Sequence, residues 1–223
     1  HTLVREYEKF HELSFKPQEK IRMKSFSPKL LGAKRDPASI TSDIERQKLI
    51  VALPPRYQRR NWILVYSTLE HGISMKTFLH NASVAKNSCP TILFVQTKQG
   101  TVFGAYNSAE WEYSDKYYGN GESFVFTFKH NQFHYYAWSK KNKYFLRSTN
   151  SGISFGGGSD GKAALFIDGE FEEGYSYKCQ TFDSEMLNAD DAEDFEIYAV
   201  ECWSFDDYKQ SDDISSKNDK TEM

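Results

Sequence analysis

The chain from Thr91 to Trp203 is a succession of short apolar segments separated by turn signals, at a spacing of roughly ten residues. Aromatic residues make up 16% of the sequence, and such side chains pack well on a pleated sheet. Short strands at this spacing are typical of an antiparallel sandwich. We therefore expect an α+β, β-rich fold in which two antiparallel sheets are flanked by a few helices. The predicted strands are Thr91–Gln96, Thr101–Tyr106, Ser123–Lys129, Gln132–Trp138, Tyr144–Arg147, Ile153–Phe155, Ala163–Ile167 and Phe195–Trp203.

Two helices and another strand are predicted before this series. Ser42 and Glu45 have the spacing of a capping box, so a helix starts there, and Pro54 ends it. Trp62–Ser67 indicates a strand, and Ser74 caps a second helix. One side of the first helix would carry Ile44, Lys48, Leu49, Ala52 and Leu53. The apolar face of the second would carry Met75, Phe78, Leu79 and Ala82.

The last predicted strand, Phe195–Trp203, differs from the others in its pattern. Both of its alternating sets contain apolar residues. Because successive side chains of a strand point to opposite faces of the sheet, we expect both faces of this strand to be covered.

Charge divides the chain into a basic beginning and an acidic remainder. Residues 1–60 hold 14 Lys and Arg against 7 Asp and Glu, whereas the rest of the chain holds 14 against 24. Nucleic acid is not expected as a partner, because its binding needs a basic stripe on the folded body. The basic beginning is either a solvated arm or a contact for an acidic partner or a membrane surface. We expect a basic leader at residues 1–40, a folded domain at 41–205 and a disordered acidic tail at 206–223.

Membrane and redox signals are weak. No stretch approaches the roughly 20 apolar residues of a membrane span, and charged residues interrupt the start where a signal peptide would lie. Cys89, Cys179 and Cys202 are an odd count without close pairing, which favours free thiols in a reducing compartment. A cytoplasmic location is therefore expected.

The glycine-rich segment that starts at Gly156 has nearly the spacing of a phosphate-binding loop. Ala163, however, stands where a Ser or Thr hydroxyl would hold Mg²⁺, and the residues that follow predict a strand instead of a helix. We therefore expect Gly156, Gly157 and Gly158 to serve backbone geometry and close approach between chain segments. Lys162 is expected on the surface, and no nucleotide or other cofactor is expected.

Two other groups of residues offer weak chemistry. His130 and His134 lie four apart across a predicted hairpin turn, with no third ligand in view, so a metal site is not expected. Cys179 has no activating base beside it in the sequence, and buried cysteine commonly serves as a small apolar residue. We favour that structural interpretation over a thiol nucleophile.

Glu122 is the most interesting carboxylate, since Gly119 and Gly121 constrain the loop before it. It would be a general base if a second carboxylate faced it, or it would accept backbone N–H groups and lock the loop. We favour the structural role. Aromatic residues nearby could form a sugar-binding platform, although core and cross-strand packing explains them better. They are Trp111, Tyr113, Tyr117, Tyr118, Tyr135, Tyr136 and Trp138.

In their order along the chain, nine segments resemble the TLDc domain. They are 53–56, 62–68, 71–77, 103–106, 118–126, 155–158, 164–168, 179–182 and 201–203. The compact spacing between Trp138 and Phe155 is similar to the branch of oxidation resistance proteins and nuclear receptor coactivators. Asn120, Lys178 and Asp190–Asp194 depart from the common pattern. The candidate functional residues that the resemblance supplies are His71, Gly72, Gly119, Gly121, Glu122, Gly156, Gly157, Gly158, Asp168 and Cys179.

The resemblance implies a flanked β-sandwich, protection against oxidative stress without an established catalytic centre, and binding to the vacuolar proton-pumping ATPase (V-ATPase). It thus implies a non-catalytic interaction module in the cytoplasm, at vacuolar, lysosomal or vesicle membranes, with mitochondrial and nuclear forms left open. Two alternatives remain. One is a vesicle-trafficking module of a TBC–TLDc protein, docked on membranes through the basic leader. The other is an antioxidant enzyme that uses Cys179 or Glu122.

Overall fold

The computed structural model describes residues 26–85, 89–158, 160–189 and 192–207. Most of the predicted basic leader and most of the predicted acidic tail lie outside them. Twelve strands are formed by the described residues, together with helices α1 (Asp43–Ile50), α2 (Thr68–His71) and α3 (Met75–Val84). Single turns of 3₁₀ helix lie at Pro55–Tyr57 and Lys129–Asn131. The strands are β1 (Leu30–Leu31), β2 (Trp62–Ser67), β3 (Thr91–Thr97), β4 (Val102–Asn107), β5 (Ser114–Tyr118), β6 (Phe124–Thr127), β7 (His134–Tyr136), β8 (Leu146–Thr149), β9 (Gly152–Phe155), β10 (Leu165–Asp168), β11 (Glu173–Tyr175) and β12 (Asp194–Phe205).

The strands form two sheets that share β12. The first sheet has the order β1-β2-β12-β3-β4-β6-β7, and the second has the order β5-β8-β9-β10-β11-β12. Neighbouring strands are antiparallel except β1 and β2, which are parallel. The β-rich sandwich predicted from the hairpin pattern is confirmed.

The main core lies between the two sheets. Leu93, Val95 and Phe103 of the first sheet belong to the same buried cluster as Phe155 and Ile167 of the second. These side chains alternate along their strands with residues of the opposite face, which is the pattern of a sandwich. The inner faces of both sheets therefore supply this core.

A second core covers the outer face of the first sheet. Trp62, Phe94 and Trp203 are fully buried there against Leu49 and Leu53, which lie in α1 and just after it. Leu30, Ala33 and Ile40, from the segment before α1, pack against the same cluster. Both faces of the first sheet are thus buried, which explains why β3 and β4 are nearly continuous apolar runs.

The helix boundaries follow from their caps. The Ser42 hydroxyl accepts the backbone N–H of Glu45, whose carboxylate accepts the Ser42 N–H at 2.7 Å, so the predicted capping box is confirmed. The predicted apolar side is partly wrong, because Ile44 is 65% exposed whereas Arg46 is buried. Arg46 donates to the Thr41 carbonyl and hydroxyl oxygens, so its guanidinium has partners inside the fold.

The second predicted helix is confirmed. The Ser74 hydroxyl caps α3 by accepting the backbone N–H of Thr77. Met75, Phe78 and Ala82 are buried, and Leu79 is partly buried against the main core.

The long closing strand differs from its prediction. Its second half is buried on both faces, but Glu196 and Tyr198 of the first half are exposed. The physical reason is that the first half pairs with β11 of the second sheet, whereas Glu201–Phe205 lies inside the first sheet between β2 and β3. Only the first sheet has a layer of described residues on its outer face.

Candidate functional site

The glycine segment after β9 closes tightly on the segment around Cys179. Gly156 has a φ of 80°, and a Cβ at this position would lie 2.6 Å from the Cys179 Sγ. The N–H of Gly157 donates to the Thr181 hydroxyl oxygen at 2.9 Å. The predicted use of these glycines for close approach agrees with this geometry, since a side chain would separate the two segments.

The described residues of this segment do not have the form of a phosphate-binding loop. The chain continues into β10 and not into a helix, as the sequence predicted. Lys162 is exposed, with its ammonium 4.1 Å from the centre of the Tyr177 ring, and Asp160 accepts the Lys162 N–H. An acidic side chain beside a lysine that lies on an aromatic ring does not make an anion site.

Cys179 is 5% exposed and belongs to the main core. Its thiol donates to the Gly157 carbonyl oxygen at 3.5 Å. A nucleophilic cysteine needs an adjacent base or cation that favours the thiolate, whereas the Cys179 thiol bonds to a backbone carbonyl within the main core. Packing accounts for the geometry of this residue.

The loop that contains Gly119, Gly121 and Glu122 is locked by a residue that sequence reasoning did not select. The Asn120 side-chain oxygen accepts the Glu122 N–H at 2.9 Å and the Ser108 hydroxyl at 2.7 Å. This Asx-type bond is typical of turns. Asn120 between two glycines was the signal that could have identified it.

The partner of Glu122 differs from those that the sequence predicted. Its carboxylate, about half exposed, forms an ion pair with Arg56. Its neighbour Gly121 lies against Trp138, where an added Cβ would come within 2.2 Å of the indole. Gly119, with φ of 99°, lies beside Phe145. The loop is therefore built for close packing.

His71 and Gly72 hold the turn between α2 and α3. The His71 Nδ1 accepts the Ser67 N–H at 3.0 Å, and its ring stacks on Tyr66. The Tyr66 hydroxyl donates to the Gly72 carbonyl at 2.5 Å and accepts the Ser74 N–H at 3.2 Å. Because Gly72 has a φ of 79°, the left-handed conformation favours glycine here.

Asp168 closes the turn between β10 and β11. Its carboxylate accepts the Glu172 N–H at 2.9 Å, and its carbonyl accepts the Phe171 N–H at 3.3 Å. Like His71 and Asn120, this residue satisfies backbone groups of a turn. The candidate residues therefore lie in several separate turns and do not converge on one reacting centre.

The most heavily bonded carboxylate was missed as a site residue. Glu201 is fully buried, and it accepts hydrogen bonds from Arg35, Ser39, the Ile40 N–H and the Trp203 indole N–H. Burial raises its pKa, and the hydrogen bonds from Ser39 and Trp203 oppose that shift. Glu201 thus fastens the segment before α1 to β12.

The remaining candidates behave as surface or packing residues. His130 and His134 flank a turn, and both are exposed. In the described ranges, no group of three or more His, Cys, Asp or Glu side chains is arranged to hold a metal ion. Trp111 is buried, with its indole N–H on Thr91, and the Trp138 indole N–H donates to the Asn142 carbonyl.

The other aromatic candidates differ in burial. The Tyr118 hydroxyl lies 2.6 Å from the Ser148 hydroxyl and is used in packing, whereas Tyr113 and Tyr135 are more than half exposed.

A search of the described residues finds no helix that is both long and apolar enough to cross a membrane.

Comparison with known proteins identifies the family. The model of the TLDc domain matches residues 34–206. The chain is 36% identical to human nuclear receptor coactivator 7 over 177 residues, which is 79% of this chain and 18% of that protein. It is also 36% identical to rat oxidation resistance protein 1 over 186 residues, which is 83% of this chain and 21% of that protein.

The chain thus spans about a fifth of the length of these relatives. Their names belong to the branch that the compact spacing between Trp138 and Phe155 indicated. The family match, which covers more than half of the sequence, and the β-sandwich agree. The chain belongs to the TLDc domain family.

Proposed function

We propose that this domain is a non-catalytic interaction module that binds the V-ATPase and contributes to oxidative stress resistance. Membership of the TLDc family and the likeness to oxidation resistance protein 1 support the stress-resistance part. The V-ATPase is proposed from the family resemblance alone. The domain would act in the cytoplasm, at vacuolar, lysosomal or vesicle membranes.

The main support for a non-catalytic function is that the side chains of the motif residues are occupied by contacts within the fold. His71, Asp168 and Asn120 satisfy backbone groups of turns, and Glu122 pairs with Arg56. General acid–base catalysis needs such groups to converge on a reacting atom. Their separate placement favours a scaffold whose surface does the work.

The thiols also favour this proposal. Burial raises the pKa of Cys89, and it raises that of Cys202 to about 12. A peroxide-reducing cysteine needs an accessible thiolate at neutral pH. Cys179 is buried as well, so the described thiols are poor candidates for such chemistry.

Capture of the V-ATPase tests the proposed partner. The purified chain, immobilised, is incubated with detergent-solubilised vacuolar or lysosomal membranes at low and physiological salt, with denatured chain as the control. We expect V-ATPase subunits on the folded chain, with less recovered as salt rises, because charged surfaces steer association. No enrichment over the control at low salt would remove the partner from the proposal.

A second experiment separates the module from an enzyme. Cys179→Ser and Glu122→Gln each remove the side-chain chemistry that an enzyme would need and change little volume. We expect cells that lack the native protein to be protected from peroxide equally by wild type and by both variants, at matched protein levels. Loss of protection by a variant that is folded and still captures the V-ATPase would favour catalysis.

A further inference from the structure

The outer face of the second sheet contains a groove. Of the candidate family residues, Asp168 alone lines it. The groove lies across β10, β11 and the first half of β12 and has a volume of about 510 Å³. Leu165, Ile167 and Phe195 of these strands are buried in the main core. The groove is lined mainly by the residues that alternate with them, together with Phe195 itself. No layer of described residues covers it.

The floor of the groove is aromatic. Phe166 and Tyr175 are direct cross-strand partners, and their rings stack with centres 4.7 Å apart and planes inclined by 19°. Both side chains are only half-buried. A flat, accessible pair of rings offers a surface on which another planar or cationic group can lie.

Four carboxylates surround this floor: Asp168, Glu173, Asp194 and Glu196. Glu173 and Glu196 are direct cross-strand partners, an arrangement of like charges that destabilises a sheet. Lys98 pairs with Glu196 at 3.2 Å. In the described part of the chain, Asp168, Glu173 and Asp194 form no ion pair, so the groove keeps uncompensated negative charge.

Two cations of the chain already lie on rings of this sheet. The Lys162 ammonium is 4.1 Å from the Tyr177 ring centre, and the Arg147 guanidinium is 5.5 Å from that of Tyr117. Tyr177 in turn contacts Tyr175, with ring centres 5.2 Å apart. The Phe166–Tyr175 pair is the next ring surface along this face, and neither of these two cations lies on it.

We propose that this groove docks an extended, arginine-bearing segment of a protein partner. A guanidinium stacks on the Phe166 and Tyr175 rings while its N–H groups bind the carboxylates at the rim, since Arg combines planar stacking with bidentate donation. Charge complementarity selects a basic segment and disfavours acidic peptides and anionic headgroups. The inference rests on the proposed function only in that the domain binds a protein.

A peptide titration tests the groove directly. The probe is a fluorescent Gly-Arg-Gly-Arg-Gly-Arg peptide, whose binding to the full chain is measured by anisotropy at low ionic strength, beside an equally long peptide with Glu in place of Arg. We expect saturable binding of the Arg peptide only. The variant Glu173→Lys should weaken it about ten-fold or more, because one attraction becomes a repulsion within a few ångströms.

The matched control is Glu110→Lys. Glu110 is exposed and forms no ion pair among the described residues, and it lines no part of the groove. The control changes the net charge of the chain by the same amount, and we expect it to alter affinity less than two-fold. Equal weakening by both variants would overturn the proposal. So would peptide-induced shifts in the amide NMR signals of the chain that fall outside β10–β12.

The failure of this inference differs from the failure of the proposed partner. If the Arg peptide does not bind but wild type still captures the V-ATPase, the groove proposal falls and the proposed function stands. If the peptide binds with the expected variant pattern while the chain captures no V-ATPase, the groove stands and the partner is a different basic protein.

Discussion

The outer face of the first sheet is buried under α1 and the segment before it, whereas the outer face of the second sheet bears half-buried rings and exposed carboxylates. Phe94 on the first is fully buried, between the rings of Trp62 and Phe126. Phe166 on the second stacks on Tyr175 at the surface. Aromatic rings lie on both faces, but they are buried on the first sheet and partly exposed on the second.

The two outer faces therefore contribute differently to stability. Burying large apolar side chains supplies most folding free energy, so the covered face stabilises the fold. On the uncovered face, the direct pairing of Glu173 with Glu196 lowers stability. A fold tolerates such a feature where another requirement, here proposed to be docking, favours it.

The largest expected effect is the difference in stability lost when one phenylalanine on each outer face is truncated. Phe94→Ala should lower the unfolding free energy by about 3–5 kcal/mol, because it empties a fully packed site. Phe166→Ala should cost about 1 kcal/mol, since it mainly removes one stacked pair. Urea unfolding of both variants checks this. Similar losses for the two would show that the faces contribute equally to stability.

The next effect concerns Glu201, whose hydrogen bonds hold the segment before α1 against the first sheet. Because burial raises the folded-state pKa of Glu201, the folded state binds a proton more tightly than the unfolded state does. Relative to Glu201→Gln, wild type should therefore be most stable below about pH 4.5 and lose that advantage as pH rises through the raised pKa. The measurement is the unfolding free energy of both proteins from pH 4 upward.

The contrary result has a clear meaning. If wild type instead gains stability over Glu201→Gln as pH rises, the Arg35 ion pair outweighs the burial and the folded-state pKa is lowered. Tyr66→Phe, which removes a hydroxyl at the distant α2–α3 turn, serves as a control, because this relative pH dependence should be absent there over the same range.

The smallest expected effect is a gain. Glu173→Lys replaces a repulsive cross-strand pair with an attractive one, so the unfolding free energy should rise by roughly 0.2–1 kcal/mol at low salt. The gain should shrink as salt screens the pair. Thermal unfolding of this variant beside Glu110→Lys measures it. A loss of stability would mean that Glu173 has favourable partners in the fold.

Local patterns predicted the elements that local physics decides. The Ser42–Glu45 box, the Ser74 cap and the β3–β4 hairpin each depend on residues close in sequence, and all three were found. β1, β5 and β11 were not predicted. Charged residues interrupt β5, and β1 and β11 are only two and three residues long.

Features that depend on contacts between residues far apart in the sequence could not be predicted from local patterns. The first half of β12 is exposed because it pairs with β11 of the second sheet, whereas the second half lies inside the first sheet. The alternation of residues within the strand does not reveal this change of sheet. Glu201 binds Arg35 across 166 positions, so nothing in its own strand indicated that partner. The same holds for the groove, because Asp168, Glu173 and Glu196 meet only through strand order.

Hydrogen exchange of the chain bound to its captured partner, compared with the free chain, tests the division of the two faces most directly. We expect added protection in β10, β11 and the first half of β12, with α1 and the segment before it unchanged. Protection confined to α1 and that segment, with none on the second sheet, would contradict it.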